Sequence, residues 1–128
     1  GISNCYDLDV LKYLYNNAKI KPSIVQNRFY AQSGYDKEIR AFCKENSITY
    51  ESFWSLTANP NILSSEVLQN LAIKYQRGVA EVFYRFLNHI NIVPLNGTTS
   101  IKHMIEDLKI GEFTLTNDEI EEISKFIK

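Results

Sequence analysis

The sequence predicts an α/β fold built from parallel strand–helix units, and three observations predict it. Strand-like apolar runs alternate with helical apolar stripes along the whole 128-residue chain. Each strand-like run is followed by a helix long enough to cover it, which is how parallel strands are connected. No composition shift, internal repeat or low-complexity linker divides the chain, so residues 1–128 read as a single domain.

The elements follow in order. Gly1–Asn4 resembles the end of a strand. Leu8, Leu11, Leu14, Tyr15 and Ala18 then form a helical stripe, with Asp7 or Asp9 available as its cap. Lys21-Pro22 ends that helix, and Ser23–Tyr30 reads as a strand with Gln26 in its middle. Past Gly34, a second helix is expected to carry Tyr35, Ile39, Phe42 and Cys43 on one face. Ile48–Leu56 is rich in β-branched and aromatic residues, as strands are. After a turn at Asn59-Pro60-Asn61, Val67, Leu68, Leu71, Ala72 and Tyr75 make a third stripe. Gly78 separates it from a fourth, Val79–Ile90. Ile92–Leu95 is a short strand, Asn96–Ser100 a polar loop, and Ile101, Met104, Ile105 and Leu108 mark an amphipathic helix. Thr116 followed by Glu119 is a capping box that opens the last helix, through Ile120, Ile123 and Ile127.

Composition narrows the function. Hydrophobic residues are 45% and charged residues 23%, with a net charge of -1. That balance offers no electrostatic footprint for nucleic acid or an anionic membrane. No run reaches the ~18 apolar residues of a membrane span. The opening GISNCYDLDV has neither the basic start nor the apolar centre of a secretory leader. Two cysteines make no disulfide framework and lack metal-ligand spacing. These features lead us to expect a reduced, cytoplasmic setting with no metal. The sequon Asn96-Gly97-Thr98 is then a coincidence.

Three or four parallel strands alone leave two bare edges and an uncovered face. A (β/α)8 barrel solves this by closing on itself over about 250 residues. The chain has half that length and half those units, so it is expected to be part of something larger.

Four segments in order carry a resemblance to the C-terminal half of the aldo-keto reductases. Gly1-Ile2-Ser3-Asn4 resembles the family's Gly-(Val/Ile)-Ser-Asn at the end of the fifth barrel strand. Lys21-Pro22 with Gln26 resembles its Lys-Pro-x-x-x-Gln sixth strand. Phe53 stands where the seventh strand ends in an aromatic, and Trp54-Ser55-Leu56 replaces the usual Ser-Pro-Leu. Val93-Pro94 with the following loop and helix resembles the eighth strand and its phosphate-binding turn. The implied fold is the C-terminal half of a (β/α)8 TIM barrel, strands five to eight with their helices.

The resemblance also implies roles and a cofactor, NADP or NAD. Ser3, Asn4 and Gln26 would hydrogen-bond the nicotinamide carboxamide, which needs both donors and acceptors. Phe53 would stack on the nicotinamide ring. Asn96, Gly97 and Thr98, with the helix N-terminus after them, would cradle the phosphate on the adenosine ribose. Glu106 and Asp107 would lie near the adenine. Leu95-Asn96 stands where the family commonly has Lys-Ser, and His103 stands in place of its Arg, so the charge that selects NADP is reduced. The family's catalytic Asp, Tyr, Lys and His belong to the first four strands, which have no counterpart in these residues.

Each residue also has a plainer use. Ser3-Asn4 can cap a helix, Gln26 can be a satisfied core amide, Phe53 can be core, and Asn96–Ser100 can be a capped turn. The four motifs in order favour the cofactor reading. The sequence therefore points to the cofactor-binding fragment of a reductase of aldehydes or ketones, inactive alone. Its expected partners are the dinucleotide, a small carbonyl substrate in the intact enzyme, and a missing N-terminal half or a second copy of the chain. The alternative is a non-catalytic half-barrel used for binding or assembly. A nucleophilic role for Cys5 or Cys43 has no matching histidine.

Overall fold

The computed structural model describes residues 1–128. Four parallel strands lie side by side in chain order: β1 (Ile2–Ser3), β2 (Ile24–Arg28), β3 (Thr49–Phe53) and β4 (Ile92–Pro94). Helix α1 (Leu8–Asn17) connects β1 to β2, and α2 (Lys37–Glu45) connects β2 to β3. Three helices link β3 to β4: α3 (Pro60–Leu63), α4 (Glu66–Tyr75) and α5 (Val79–His89). α6 (Ile101–Leu108) and α7 (Asn117–Ser124) complete the chain. The expected half-barrel of parallel βα units is the observed architecture.

The helix starts follow local chemistry. Asp7, not Asp9, caps α1, its carboxylate accepting from the Asp9 and Val10 amides. Ser65 caps α4 and Ser100 caps α6. Glu81 reaches back to accept from the Gly78 amide at the start of α5. Thr116 and Glu119 exchange the two bonds of the expected capping box at α7.

The register forces the two sheet faces apart. Val25 pairs with Tyr50, which pairs with Ile92, and all three are buried under the helices. Phe83, Phe86, Leu87, Ile62, Leu68 and Ile123 close over them as a dry core. Because side chains alternate along a strand, the next row lies on the opposite face. Ser3, Gln26, Glu51 and Val93 form that row straight across all four strands. No helix covers this second face, where Val93 is 45% exposed.

Several expectations need correction. The strands are shorter than their apolar runs: β2 covers Ile24–Arg28, not Ser23–Tyr30, and β3 covers Thr49–Phe53, not Ile48–Leu56. The strand at Ile92–Leu95 ends at Pro94, and the last helix gives way to a 3-10 turn at Lys125–Ile127. Asn59-Pro60-Asn61 begins the short helix α3, with Pro60 at its first position, where a missing N–H costs nothing. Tyr35 lies outside α2. Gly34, Tyr35 and Asp36 are all left-handed (φ 58°, 53° and 51°), so the chain turns the Asp36 carboxylate inward. There one Asp36 oxygen accepts from Asn27 at 2.7 Å and from Tyr50 at 2.8 Å.

The stripe on α6 is not covered either. Ile101 and Leu108 are 75% and 87% exposed, and no α6 residue is buried. On α1, at the other edge, Val10 and Tyr13 are also exposed. No helix is long and apolar enough to cross a membrane.

Candidate functional site

The C-terminal ends of the four strands gather at one edge of the sheet, and strand ends are where parallel α/β proteins place their ligands. Ser3 and Gln26 are register partners there, and Asn4 follows Ser3 directly. The Asn4 amide donates to the Gln26 carbonyl at 3.0 Å, which holds Asn4 left-handed at φ 55°. Asn4 Oδ1 accepts from the Tyr6 hydroxyl at 3.3 Å. Neither Ser3 nor Asn4 caps α1, since Asp7 does so. Gln26 is not a core amide either. Its Nε2 donates to Glu51 at 2.8 Å on the open face, which leaves Oε1 free to accept.

Phe53 ends β3, half-buried, and the chain reverses immediately after it. Trp54 is left-handed at φ 57° and 57% exposed. The loop beyond is held from below. Ser52 and Ser55 share a hydroxyl–hydroxyl bond at 2.8 Å, and Asn59 donates to the carbonyls of Phe29 and Ser55. The Leu95 amide donates to the Ser52 carbonyl at 2.7 Å and so joins the loop after β4 to the same platform.

A groove of about 680 Å3 runs between these loops, bounded by Phe53, Trp54, Leu56, Tyr84, Asn96 and Gly97. Beside it, a cleft of about 630 Å3 is bounded by Asn96, Gly97, Thr98, Met104 and Asp107. Together they form a continuous path from Phe53 to the α6 side of the polar loop. A Cβ built on Gly97 would meet nothing, so the backbone there is open to close approach. The largest cleft, about 830 Å3, lies at the opposite ends of the strands, between α2 and α5, away from this edge.

Within the polar loop, Asn96 donates to Asp107 at 2.5 Å, and Thr98 Oγ1 accepts from the Ser100 amide at 3.0 Å. Ser100 in turn accepts from the His103 amide at 3.4 Å. Burial raises the Asp107 carboxyl, while His103 and the Asn96 bond pull it down. Burial, aided by Asp107, pushes the Tyr84 hydroxyl up to about 12, so it stays protonated as a donor.

The structure thus brings Ser3, Asn4, Gln26 and Phe53 together, and places Asn96, Gly97, Thr98 and Asp107 at the far end of the path. His103 and Glu106 border neither groove. His103 is on the exposed side of α6, and Glu106 faces Lys102 at 3.7 Å. Three neighbours were not anticipated: Glu51, Arg28 and Trp54. Strand alternation carried the signal for two of them, because Arg28 shares a face with Gln26, and Glu51 shares one with Phe53.

The donor set fits a nicotinamide dinucleotide. A hydroxyl, an amide and a free Gln26 Oε1 match a carboxamide, and the groove is within the usual size of ligand sites. Cys5, Cys43 and His89 border neither groove. Burial raises the Cys5 thiol and lifts that of Cys43 to about 11, which suppresses the thiolate needed for nucleophilic chemistry. His89 accepts from the Leu115 amide through Nε2, and burial holds it neutral.

Comparison with known proteins gives a consistent result. The family model described as the aldo/keto reductase family matches residues 1–128. Glyoxal reductase of Bacillus subtilis is 30% identical over all of this chain, which covers 45% of that protein. Aldose reductase B of Dictyostelium discoideum is 29% identical over 97% of the chain and 40% of its own length. The chain therefore spans less than half the length of these curated relatives. Among solved structures, an aldo-keto reductase from a Medee basin deep-sea metagenome library superposes with a TM-score of 0.85 at 24% identity. That match covers 98% of this chain and 46% of the other. An aldo-keto reductase complexed with NADPH gives a TM-score of 0.81 at 19% identity, over 98% of this chain and 41% of the other.

Proposed function

The chain belongs to the aldo/keto reductase family, and on that premise we propose that residues 1–128 are the cofactor-binding C-terminal half of an NAD(P)H-dependent reductase of aldehydes or ketones. One observation carries the proposal. The strand register sets Ser3 beside Gln26, with Phe53 at the end of the next strand, and a groove leads from Phe53 to Asn96-Gly97. In this reading Ser3, Asn4 and the free Gln26 Oε1 orient the carboxamide. Phe53 holds one face of the nicotinamide ring and leaves the other toward the substrate. Glu51 fixes the Gln26 amide so that its oxygen, not its nitrogen, meets the carboxamide N–H2. Asn96–Thr98 and the start of α6 receive the phosphate on the adenosine ribose. The bound dinucleotide supplies a hydride to the carbonyl carbon.

A hydride transfer also needs a proton for the carbonyl oxygen. None of the groups along the grooves is a suitably placed acid: Tyr84 is buried and, with its hydroxyl pushed up to about 12, releases its proton poorly, while Asp107 lies at the far end of the path, bonded to Asn96. The acid comes in this proposal from the missing N-terminal half, which would also cover the open sheet face. The two buried, unpaired thiols suit a reducing, cytoplasmic setting.

The test is complementation. The isolated chain is expected to show no NADPH oxidation with a small aldehyde, and addition of the first four βα units of a relative's barrel is expected to restore it. Steady turnover by the isolated chain would falsify the half-site assignment. Cofactor binding with no turnover in any mixture would favour the non-catalytic module.

A further inference from the structure

The candidate site contains one cation that the reading above leaves without a use. Arg28 closes β2 on the open face, two residues beyond Gln26 and in register with Phe53. Its guanidinium lies over the Trp54 ring at 4.2 Å and near the Tyr30 ring at 5.3 Å. Those rings hold it in place, yet nothing neutralises it. Its Nε is buried without a partner, and it takes part in none of the five ion pairs of the chain. Glu51, the acid on the same face, is engaged with the Gln26 amide. Trp54, on which Arg28 rests, is held in a left-handed conformation that a bulky residue rarely adopts. Strain and a partly buried unpaired charge thus coincide where the chain leaves β3, and Arg28 meets the groove through Trp54, which borders it.

Resting on the cofactor reading, we propose that Arg28, fixed on Trp54, is the cationic contact for the diphosphate bridge of the dinucleotide. The route requires such a contact near this point. A nicotinamide held at Gln26 and Phe53 and an adenosine phosphate at Asn96–Thr98 are joined through a diphosphate. That diphosphate must pass the residues following Phe53, of which Trp54 borders the groove. A guanidinium is permanently charged and presents a planar fork to phosphate oxygens. Its use here compensates for the absence of a lysine at Leu95 and an arginine at His103. Anchoring moves from the adenosine phosphate, which only NADP carries, to the diphosphate, which NAD and NADP share. Arg28 therefore strengthens binding of both dinucleotides without selecting between them.

Trp54 is the only tryptophan of the chain, so its fluorescence reports directly on this contact. The experiment titrates the 128-residue chain with inorganic pyrophosphate, with NADPH and NADH, and with acetate. It compares the wild type with Arg28→Met and Arg28→Lys, after circular dichroism shows that all three fold alike. Pyrophosphate and both dinucleotides are expected to change Trp54 emission saturably. Arg28→Met should weaken all three by about tenfold or more, as the loss of a charge-assisted contact does, and Arg28→Lys should recover part of that loss. Dinucleotide affinity unchanged in Arg28→Met overturns the proposal and leaves the cofactor site standing. A response to acetate with none to pyrophosphate also overturns it and makes Arg28 a carboxylate contact for the substrate. If pyrophosphate binds through Arg28 while neither dinucleotide binds the wild type, both the diphosphate assignment and the cofactor reading are overturned.

Discussion

Single residues carry unequal weight in this chain, and Asn27 carries more than its position suggests. It is fully buried on the helix-covered face of β2. Its Oδ1 accepts from the Cys5 amide at 2.9 Å, and its Nδ2 donates to the Cys5 carbonyl and to Asp36. One amide thus ties β1 to β2 and supports a buried carboxylate whose second oxygen already lacks a partner. Asn27→Leu should cost roughly 2–4 kcal/mol, because it strands several buried polar groups at once. Urea unfolding measures this, and a loss under about 0.5 kcal/mol, typical of surface changes, would show the network to be dispensable. His103 is the opposite case, exposed and replaceable. In a complete barrel, His103→Arg should raise the preference for NADP over NAD by about tenfold. Paired affinity measurements decide it, and an unchanged ratio means that this side chain does not reach the ribose phosphate.

Among the elements, α7 packs Ile123 into the core, and one carboxylate, Glu119, ties its first turn to α4. Glu119 accepts from Lys74, from the Tyr75 hydroxyl at 2.7 Å and from the Thr116 amide at 2.8 Å. Burial raises its carboxyl, but these donors outweigh burial and hold it at about 2, below the ordinary 4.5. A depressed carboxyl contributes stability that is present above the unfolded value and lost as pH falls toward the folded one. The contact of α7 with α4 should therefore weaken between about pH 4.5 and 2. In Glu119→Gln, that part of the acid-unfolding curve should flatten; a curve identical to wild type would remove Glu119 from the account. The α6 stripe behaves differently. Ile105 and Leu108 contact solvent within one copy of the chain, so replacing both with lysine should leave the urea midpoint nearly unchanged at dilutions where the chain is monomeric.

For the whole molecule, that stripe and its counterpart on α1 face outward from the two unpaired edges, β4 and β1. Edge strands and exposed apolar patches of this kind drive association. Two copies placed β4 to β1 in both directions would close an eight-stranded ring with two-fold symmetry. Light scattering should accordingly find dimers or larger species at micromolar concentration, and the Ile105→Lys, Leu108→Lys double variant should shift them toward monomer. A clean monomer in the wild type rules out this closure. The N-terminal half of a related barrel should compete for the same edges, which makes association and complementation two readings of one surface.

Features that depend on near neighbours along the chain can be read from the residues alone. The first helix ends at Asn17, ahead of the expected stop at Lys21-Pro22, but the helix caps at Ser100 and Thr116, the break at Gly78 and the order of strands and helices all arise within a few residues. So does the ordered set of motifs at Ser3-Asn4, Gln26, Phe53 and Val93-Pro94, by which the family was already legible. Which side chains meet across strands is set by the three-dimensional packing. The bond from Gln26 to Glu51 spans 25 positions, and the stack of Arg28 on Trp54 depends on the β2–β3 register. The inward turn at Gly34–Asp36 was equally illegible, because its left-handed backbone is stabilised by Asn27 and by Tyr50 on a later strand. Periodicity reveals that an element has an apolar face, as it did for α6. Whether anything covers that face is decided by the elements packed beside it, and for Ile101 and Leu108 no element of this chain does so.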